Sequence, residues 1–533
     1  MSNNKSKYRK AIIEQAKFLK LNIMKKFTAL LLMVFANVYF LTGQNILWSK
    51  NYGGGADDKP RAIQQTTDGR FIVVGGSSST DGDVWGNHGD SDFWILRLDA
   101  AGDTVWTKCY GGTYDDYAAA IQQTSDSGFV VAGALSGDLW ILRLNATGDT
   151  VWTKCYGGSM WDYAAAIQQT SDSGFVVAGE TYSSNGDVWG HHGDYDYWIL
   201  RLNAAGDTLW TRCYGGSDDD EANAIQQTTD GGFIVAGHSR SDDGDVWGNH
   251  SNGDYDYWIL RLDATGDTVW TKCYGGSRND WAYDIRQTSD GGFIVAGYAS
   301  STDGDVGGNH GDSDFWILRL NAAGDILWTK CYGGSMWDYA TAIQQTSDSG
   351  FIVAGATYSA DGDVWGNHGT YDYWILRLDA AGDTLWTRCY GGYNDDEANA
   401  IQQTTDGGFI VAGYSRSTDS DGDVPGNYGD YDFWILRLDN GNATGIPTQQ
   451  LSQAVTIYPN PANNKLIVIA SGAKYHGYKQ SVAKIYTLQG QLLLQETVTP
   501  ENPTIDISEL AEGLYILKLT GSTGTTVAKF VKE

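Results

Sequence analysis

Short runs of branched and aromatic residues, separated by polar turns rich in glycine and aspartate, recur along most of this chain. Residues 92–112 hold two such runs around an Ala-Gly-Asp turn. This pattern is typical of a β-hairpin in which Gly102 adopts the positive φ of a tight reversal. The hairpin returns five more times. The tryptophan of its first half marks seven copies: Trp94, Trp140, Trp198, Trp258, Trp316, Trp374 and Trp434.

Each full copy contains four strand candidates. An Ala-Ile-Gln-Gln-Thr run (120–124 in the second copy) and a Phe-Ile-Val-Ala-Gly run (233–237 in the fourth) precede the two strands of the hairpin. No stretch of residues 44–439 has convincing helical periodicity. The pattern therefore predicts an all-β fold, namely a seven-bladed β-propeller with four-stranded blades.

The copies are offset from the two ends of the array. A lone fourth strand, Ile46–Tyr52, opens it, and three strands without a fourth close it at residues 401–438. We expect the N-terminal strand to complete the last blade, which leaves no sheet edge open; an open solenoid is the alternative. The second copy lacks twelve residues between Gly133 and Trp140, so we expect the missing loop to be peripheral to the fold.

Two residue types recur at fixed positions of the hairpin. The six cysteines stand just before Tyr-Gly-Gly, and equivalent positions in neighbouring blades lie roughly 10 Å or more apart. A disulfide needs Cα atoms within about 7 Å, so we expect packed free thiols at Cys109, Cys155, Cys213, Cys273, Cys331 and Cys389. An arginine recurs in the middle of the third strand, where a buried guanidinium needs a partner. We expect blade-to-blade ion pairs with aspartates. These arginines are Arg97, Arg143, Arg201, Arg261, Arg319, Arg377 and Arg437.

The two ends of the chain differ in composition from the repeats. A basic start at Met24 precedes an apolar stretch too short to span a bilayer, which predicts a secretory signal peptide with translation beginning at Met24. No other segment is predicted to cross a membrane. The expected divisions are an N-terminal extension with signal peptide (1–43), the propeller (44–440), a linker (441–453) and a C-terminal domain (454–533).

The C-terminal domain carries three recognisable motifs. They are Val-Thr-Ile-Tyr-Pro-Asn-Pro-Ala at 455–462, Ala-Lys-Ile-Tyr-Thr-Leu-Gln-Gly-Gln at 483–491 and Ile-Asp-Ile-Ser-Glu-Leu-Ala-Glu-Gly-Leu-Tyr-Ile-Leu-Lys-Leu at 505–519. In order and spacing this region resembles the C-terminal sorting domain of the Bacteroidota type IX (Por) secretion system. The resemblance implies an Ig-like β-sandwich that the outer-membrane translocon recognises, and a mature protein that is secreted or attached to the outer cell surface. An ordinary Ig-like domain is the alternative.

The chain is strongly acidic, with a formal net charge of −29. Such a surface repels nucleic acid and anionic membranes, and it attracts cations or basic partners. Nucleic acid is therefore excluded as a partner. An acidic surface that serves only to keep a secreted protein soluble is the alternative to a charged binding surface.

Carboxylates alternate with glycines in the loops between the second and third strands. Hard oxygen ligands at alternate positions suit Ca²⁺, but the same residues also build ordinary turns through side chain–backbone hydrogen bonds. The candidate Ca²⁺ ligands are Asp81, Asp83, Asp90, Asp92, Asp419, Asp421 and Asp423. The loop histidines belong to different blades, so we expect them in surface turns rather than around one zinc ion. They are His88, His192, His250, His310 and His368.

Tryptophans in the same loops and in the connections between blades form a candidate binding surface. Their ring faces could stack on sugars, or they could pack under their own loops. The candidates are Trp85, Trp189, Trp247 and Trp365, with Trp161, Trp281 and Trp337.

Three functions fit these features. The sequence holds no unique Ser/His/Asp set, isolated carboxylate pair or nucleotide loop, which argues against catalysis. We therefore expect a secreted or surface binding and adhesion module for an extracellular glycan or protein. The alternatives are a hydrolase or lyase acting on extracellular glycan in the central channel, and a structural surface repeat protein.

Overall fold

The computed structural model describes residues 45–250, 253–418 and 422–440, and within 454–532 all but 459–461, 472–480, 487–491, 500–502, 512 and 522–523. The chain divides into two compact units, Met1–Asn442 and Ala443–Glu533. The predicted signal peptide and linker lie outside the described residues, so both stay predictions.

The first unit contains twenty-eight strands among the described residues. The first thirteen are β1 (Ile46–Tyr52), β2 (Asp58–Gln65), β3 (Phe71–Ser77), β4 (Asp92–Leu98), β5 (Thr104–Tyr110), β6 (Asp116–Gln123), β7 (Phe129–Leu135), β8 (Asp138–Leu144), β9 (Thr150–Tyr156), β10 (Asp162–Gln169), β11 (Phe175–Thr181), β12 (Asp196–Leu202) and β13 (Thr208–Tyr214). The others are β14 (Asp220–Gln227), β15 (Phe233–Ser239), β16 (Asp256–Leu262), β17 (Thr268–Tyr274), β18 (Asp280–Gln287), β19 (Phe293–Ala299), β20 (Asp314–Leu320), β21 (Ile326–Tyr332), β22 (Asp338–Gln345), β23 (Phe351–Thr357), β24 (Asp372–Leu378), β25 (Thr384–Tyr390), β26 (Asp396–Gln403), β27 (Phe409–Ser415) and β28 (Asp432–Leu438).

These strands form seven four-stranded antiparallel sheets. Sheets 1 to 6 each take four consecutive strands, from β2–β5 to β22–β25, and sheet 7 has the order β1-β28-β27-β26. The predicted pairing of the N-terminal strand with the last strand is confirmed, with Trp48 opposite Arg437 and Tyr52 opposite Phe433. The first strands begin four residues before the predicted run, because each extends through a bulge to a buried aspartate.

Neighbouring sheets meet along their first strands. Each first strand contacts that of the next sheet, and β26 contacts β2 in the same way, so the series of sheets returns to its starting point in a propeller-like arrangement. Glutamine side chains link these strands: Gln64 Oε1 accepts from Gln123 N at 2.6 Å, and Gln402 Oε1 accepts from Gln65 N at 2.5 Å. The Ala-Ile-Gln-Gln-Thr run therefore joins one sheet to the next.

The core lies between the sheets. Six of the seven third strands are buried along their whole length, because both of their faces meet a neighbouring sheet. In six of the seven copies the marker tryptophan packs against an aromatic ring of the preceding sheet, as in Trp94 with Phe433 and Trp258 with Tyr197, whose ring centroids are 4.6 and 4.4 Å apart. Such pairs contribute about 0.5–1.5 kcal/mol beyond their buried area.

The mid-strand arginines are paired differently from the prediction. Arg97 Nη2 lies 2.8 Å from Asp68 Oδ1, and Asp68 belongs to the β2–β3 turn of the same sheet. The expected blade-to-blade pairing was therefore wrong. The reason is geometric: the turn aspartate reaches across the end of its own sheet to the guanidinium. In sheet 2, Arg143 Nη2 donates to Asp126 Oδ1 at 2.6 Å and Nη1 donates to Phe129 O at 3.1 Å.

The cysteines are free thiols, as predicted. Their packing is uneven: Cys213, Cys273 and Cys389 are buried, whereas Cys155 is exposed. Burial raises the pKa of the Cys109 thiol to about 12, so this side chain behaves as a small apolar group.

Sheet 2 keeps its four strands although its second-to-third-strand loop is missing. Ser136 and Gly137 make the tight turn from β7 to β8, with φ values of 50° and 97°. The prediction that this loop is peripheral is confirmed.

The second unit contains two antiparallel sheets in its described residues. The strands are β29 (Ala454–Tyr458), β30 (Lys465–Ser471), β31 (Ser481–Tyr486), β32 (Leu492–Val498), β33 (Thr504–Asp506), β34 (Gly513–Gly521) and β35 (Gly524–Lys532). One sheet has the order β29-β30-β33 and the other β32-β31-β34-β35. Both sheets contribute to one hydrophobic core, through Leu466 and Ile505 from the first and Ile485, Leu517 and Phe530 from the second.

Candidate functional site

Four of the predicted binding tryptophans are strongly exposed. The loops between the second and third strands of sheets 1, 3, 4 and 6 place Trp85, Trp189, Trp247 and Trp365 in equivalent positions, with exposed fractions of 74–77%. Tryptophan is rarely so accessible in a folded protein. These four side chains do not pack under their own loops.

In sheets 3 and 7 the loop between the second and third strands lies along the outermost strand. Trp189 O accepts a hydrogen bond from Cys213 N of the outermost strand β13 at 3.4 Å. In sheet 7 the corresponding loop receives a hydrogen bond from Ser49 Oγ of β1 to Asp423 O at 3.3 Å. The loops therefore cover strand edges that would otherwise be open, and they bring the tryptophans to the outside of the sheets.

A groove accompanies one of these tryptophans. It encloses about 400 Å³ beside Trp247 and is also lined by His250, Lys272, Tyr274, Asp325 and Ile326. Aromatic, charged and apolar groups thus meet at the junction of sheets 4 and 5. This combination of an aromatic face with hydrogen-bonding groups is what a sugar ring needs.

The other three candidate tryptophans lie in the connections between sheets. Trp161 and Trp337 are 51% and 45% exposed, and Trp161 stacks on Tyr163 with the planes 11° apart. Trp281 is partly buried and stacks on His238 at 4.1 Å.

The candidate Ca²⁺ ligands separate into different environments. Asp81 Oδ1 accepts from Gly55 N at 2.7 Å, and Asp83 N donates to Gly53 O at 2.9 Å, as in ordinary turns. Asp90 is exposed, and Asp92 is fully buried. The described residues include no group of three or more His, Cys, Asp or Glu side chains arranged to hold a metal ion.

In sheet 7, Asp419 and Asp421 lie outside the described residues. Asp423 is described, and burial raises the pKa of its carboxyl group. Ca²⁺ binding by these loops stays a prediction of the sequence.

Each loop histidine contacts a buried aspartate at the start of the third strand. His88 Nδ1 lies 2.7 Å from Asp92 Oδ2, and His310 Nδ1 lies 2.6 Å from Asp314 Oδ2. The imidazoles are half-exposed, so they have the predicted surface positions, but their aspartate partners were not predicted. The spacing of four residues in His-Gly-Asp-Ser-Asp is the signal that indicates this pairing.

Sequence reasoning missed a group of residues where neighbouring sheets meet. The first strand of each sheet has a second residue that varies between copies. This residue lies beside the second strand of the preceding sheet. We call each such place a junction slot. The seven second residues are Lys59, Tyr117, Tyr163, Glu221, Trp281, Tyr339 and Glu397.

The slot between sheets 3 and 4 holds two glutamates and a histidine. The carboxyl groups of Glu180 in β11 and Glu221 in β14 lie close enough to shift each other's pKa. His238 Nε2 lies 3.3 Å from Glu221 Oε2, and Asn223 Nδ2 lies 3.3 Å from the opposite imidazole nitrogen, Nδ1.

The environment shifts the pKa values of the two glutamates in opposite directions. Burial and the negative charge of Glu221 raise the pKa of Glu180 to about 8. Burial also disfavours the charged form of Glu221, but His238 and Glu180 outweigh it and lower its pKa. Glu221 is therefore the more acidic of the two carboxyl groups.

Comparison with known families concerns the second unit. The model of the secretion system C-terminal sorting domain matches residues 456–533. These residues are a type IX sorting domain. The protein is thus secreted to the cell surface or the extracellular space, and its sorting domain engages the type IX secretion system.

Two curated proteins are similar to parts of the chain. The regulatory protein FlaEY of Caulobacter vibrioides is 25% identical over 252 residues, which cover 43% of this chain and 26% of that protein. Beta-agarase D of Zobellia galactanivorans is 36% identical over 83 residues, which cover 16% of this chain and 15% of that protein. The chain therefore spans only a minor part of the length of either relative.

Among solved structures, the hydrazine synthase of Kuenenia stuttgartiensis is similar with a TM-score of 0.42 and 10% identity. The match covers 66% of this chain and 92% of that one. Within the parts of the chain that the structure describes, no helix has the length and apolar character to cross a membrane.

Proposed function

We propose that this protein is a binding and adhesion module that its sorting domain delivers to the cell exterior. The repeats form a seven-bladed β-propeller over 44–440, followed by a linker over 441–453 and an Ig-like sorting domain over 454–533. The observation that carries the proposal is the set of four equivalent loop tryptophans with exposed fractions of 74–77%.

An extracellular glycan is the ligand class that these side chains suit best. An indole face held out from the protein stacks on the apolar face of a sugar, and nearby polar groups bind its hydroxyls. Lys272, Asp325 and His250 supply such groups beside Trp247. Four weak sites on one rigid body would together bind a repetitive polymer much more tightly than one site does.

The alternative of a glycan hydrolase or lyase has a specific candidate in Glu180 and Glu221. Glycosidase carboxyl groups are about 5–9.5 Å apart, because a sugar or a water lies between them. Glu180 and Glu221 shift each other's pKa at a junction between sheets, but neither lines the groove beside Trp247. The exposed tryptophan and its groove therefore favour binding over hydrolysis.

A glycan array tests the proposal. We expect the full-length protein to bind a polysaccharide, and we expect the quadruple variant W85A/W189A/W247A/W365A to lose that binding. The matched control is Tyr114→Ala, because Tyr114 is also 67% exposed but lies outside these loops. Turnover of a polysaccharide panel would favour the enzyme instead. Equal binding by both variants would contradict the proposal.

A further inference from the structure

The groove beside Trp247 is built by two neighbouring sheets. Sheet 4 supplies Trp247 and His250 from its loop, and it supplies Lys272 and Tyr274 from its outermost strand, β17. Sheet 5 supplies Asp325 from the turn between β20 and β21. A ligand that stacks on the Trp247 ring in this groove therefore also reaches polar groups of the next sheet.

An ion pair in the groove joins the two sheets. Lys272 Nζ donates to Asp325 Oδ1 at 2.9 Å, and the two side chains are 33% and 68% exposed. The pair uses one of the three ammonium donors of Lys272. A carboxylate can accept about four hydrogen bonds, and Asp325 accepts one from Lys272 and one from Asn321 Nδ2 at 3.1 Å. Because a hydroxyl group is both a donor and an acceptor, this pair suits two adjacent hydroxyl groups of a sugar.

The cations that line the groove already face carboxylates. Lys272 is paired with Asp325, and His250 lies between Asp256 and Asp305, with Nδ1 2.8 Å from Asp256 Oδ2 and Nε2 3.9 Å from Asp305 Oδ2. An anionic group on the ligand would face Asp305 and Asp325, and the net charge of −29 adds a general repulsion. An ammonium group would have to compete with Lys272 and His250 for the same carboxylates. The groove therefore favours an uncharged sugar.

The junction of sheets 5 and 6 repeats this arrangement without the tryptophan. Of the eleven residues that line the groove, nine have an identical counterpart there. Lys330 Nζ lies 2.7 Å from Asp383 Oδ1, so the ion pair is present as well. The two differences are a threonine in place of Ile326 and Gly307 in place of Trp247. This junction has the polar part of the site and lacks its aromatic face.

Ion pairs of the same kind occur with and without a loop tryptophan. They join sheets 1 and 2, sheets 3 and 4, and sheets 2 and 3 in the pairs Lys108–Asp149, Arg212–Asp267 and Lys154–Asp207, at 2.6–2.7 Å. Sheets 1 and 3 carry a loop tryptophan, whereas sheet 2 lacks the loop. The Lys154–Asp207 pair therefore joins two sheets at a place where a sugar has no ring to stack on.

We propose that the groove beside Trp247 binds an uncharged polysaccharide across two sheets. The Trp247 ring stacks on the face of one sugar, and Lys272 and Asp325 bind two adjacent hydroxyl groups. The junction of sheets 5 and 6 is the same site without its ring, and a tryptophan at Gly307 completes it. This inference rests on the proposed function, since it names the ligand class and further residues of the same sites.

A panel of polymers tests the ligand class by affinity electrophoresis of the full-length protein. The uncharged polymers are galactan, xylan, glucomannan and β-glucan, the anionic ones are alginate and polygalacturonate, and the cationic one is glycol chitosan. The measured quantity is the retardation that the variant W85A/W189A/W247A/W365A loses. We expect this retardation with an uncharged polymer. Equal or stronger tryptophan-dependent retardation by a charged polymer would overturn the ligand class.

Gly307→Trp tests the composition of the site by adding one. A Cβ at Gly307 would have no contact within 4 Å, so the loop has room for the larger side chain. Calorimetric titration with an oligosaccharide of the retarding polymer should give about five sites per chain instead of about four. Gly307→Leu adds an apolar side chain without an aromatic face, and it should leave the number of sites unchanged.

Lys272→Met and Lys154→Met are matched variants that test the ion pair. Each breaks one exposed pair between two sheets, so both should have nearly the same melting temperature. Lys272→Met should weaken binding at one site roughly tenfold, because it removes a charged hydrogen-bond donor to the sugar. Lys154→Met should leave every site unchanged, because no loop tryptophan lies at that junction.

Two results would overturn this inference while the proposed function stands. One is a Gly307→Trp variant that melts like the wild-type protein and binds the oligosaccharide at no additional site. The other is an equal effect of Lys272→Met and Lys154→Met on binding, which also decides the question if Gly307→Trp is unstable. If no polymer gives tryptophan-dependent retardation, the proposed function fails, and this inference fails with it.

Discussion

At the residue scale, the arginine of each third strand is the clearest case of a buried charge with a local partner. Arg319 Nη2 contacts both oxygens of Asp290 at 2.6 Å, and its Nη1 donates to Phe293 O at 2.9 Å. Hydrogen bonds from Thr288 and Arg319 hold the pKa of Asp290 at about 2. The Arg319–Asp290 pair thus holds the turn between β18 and β19 against the end of sheet 5.

We expect Asp290→Ala to lower the free energy of unfolding by about 1–2 kcal/mol, because it leaves Arg319 buried without a counter-charge. This loss of unfolding free energy is smaller than is usual when a buried ion pair is broken, because the Asp290 side chain is 64% exposed. Urea denaturation measures it. Asp325→Ala, which breaks the exposed Lys272–Asp325 pair, should change little. Equal losses of unfolding free energy in both variants would contradict the claim that Asp290 stabilises the buried Arg319.

At the element scale, β1 links the two ends of the repeat array. It supplies the fourth strand of sheet 7, and its Ser49 hydroxyl accepts a hydrogen bond from Trp434 Nε1 at 2.8 Å. Tyr52 packs in the core that sheets 7 and 1 share. Without β1, the edge of β28 and the aromatic residues beneath it would face solvent.

A chain that begins at residue 53 should therefore melt at least about 10 °C below one that begins at residue 45. Both lack the predicted signal peptide, so the comparison isolates β1. Thermal unfolding followed by circular dichroism measures the difference. Equal melting temperatures would mean that β1 contributes nothing to the stability of the array.

The strands could be predicted because each is a local run of branched and aromatic residues between polar turns. The position of β1 could be predicted because the array opens with a fourth strand and ends without one. Partners that lie across sheets were harder to predict. Glu180 and Glu221 are separated by 41 positions, and nothing in either neighbourhood indicates that two sheets bring them together. The arginine pairing was predicted with the wrong sheet for a related reason: hydrophobic periodicity shows that Arg97 is buried, but not that the turn at Asp68 reaches back to it.

At the scale of the whole molecule, buried aspartates recur at the sheet junctions. Asp196 and Asp220 flank Gly215, whose Cβ would lie 2.5 and 2.6 Å from their oxygens, so any larger residue there would have to displace these carboxyl groups. Burial raises the pKa of Asp58 to about 6, and it raises the pKa of Asp220 and Asp432 to about 7. The repeated Tyr-Gly-Gly is thus coupled to a set of carboxyl groups that ionise near neutral pH.

These groups determine how stability depends on pH. Between about pH 4 and 7 the folded chain holds more protons than the unfolded chain, so its stability falls as pH rises through that range. We expect a melting temperature at least roughly 5 °C higher at pH 5 than at pH 8. Asp432→Asn should reduce the difference, because it removes one of the carboxyl groups. A melting temperature that rises from pH 5 to pH 8 would contradict this assignment.

The role of the exported molecule rests on its four exposed loop tryptophans, and binding stoichiometry tests that role most directly. Calorimetric titration of the full-length protein with a short oligosaccharide of the polymer it binds should give about four equivalent sites per chain. Each single Trp→Ala variant in the loops should lose one site and leave the others unchanged. A stoichiometry that is the same in the wild-type protein and in W85A/W189A/W247A/W365A would contradict the account.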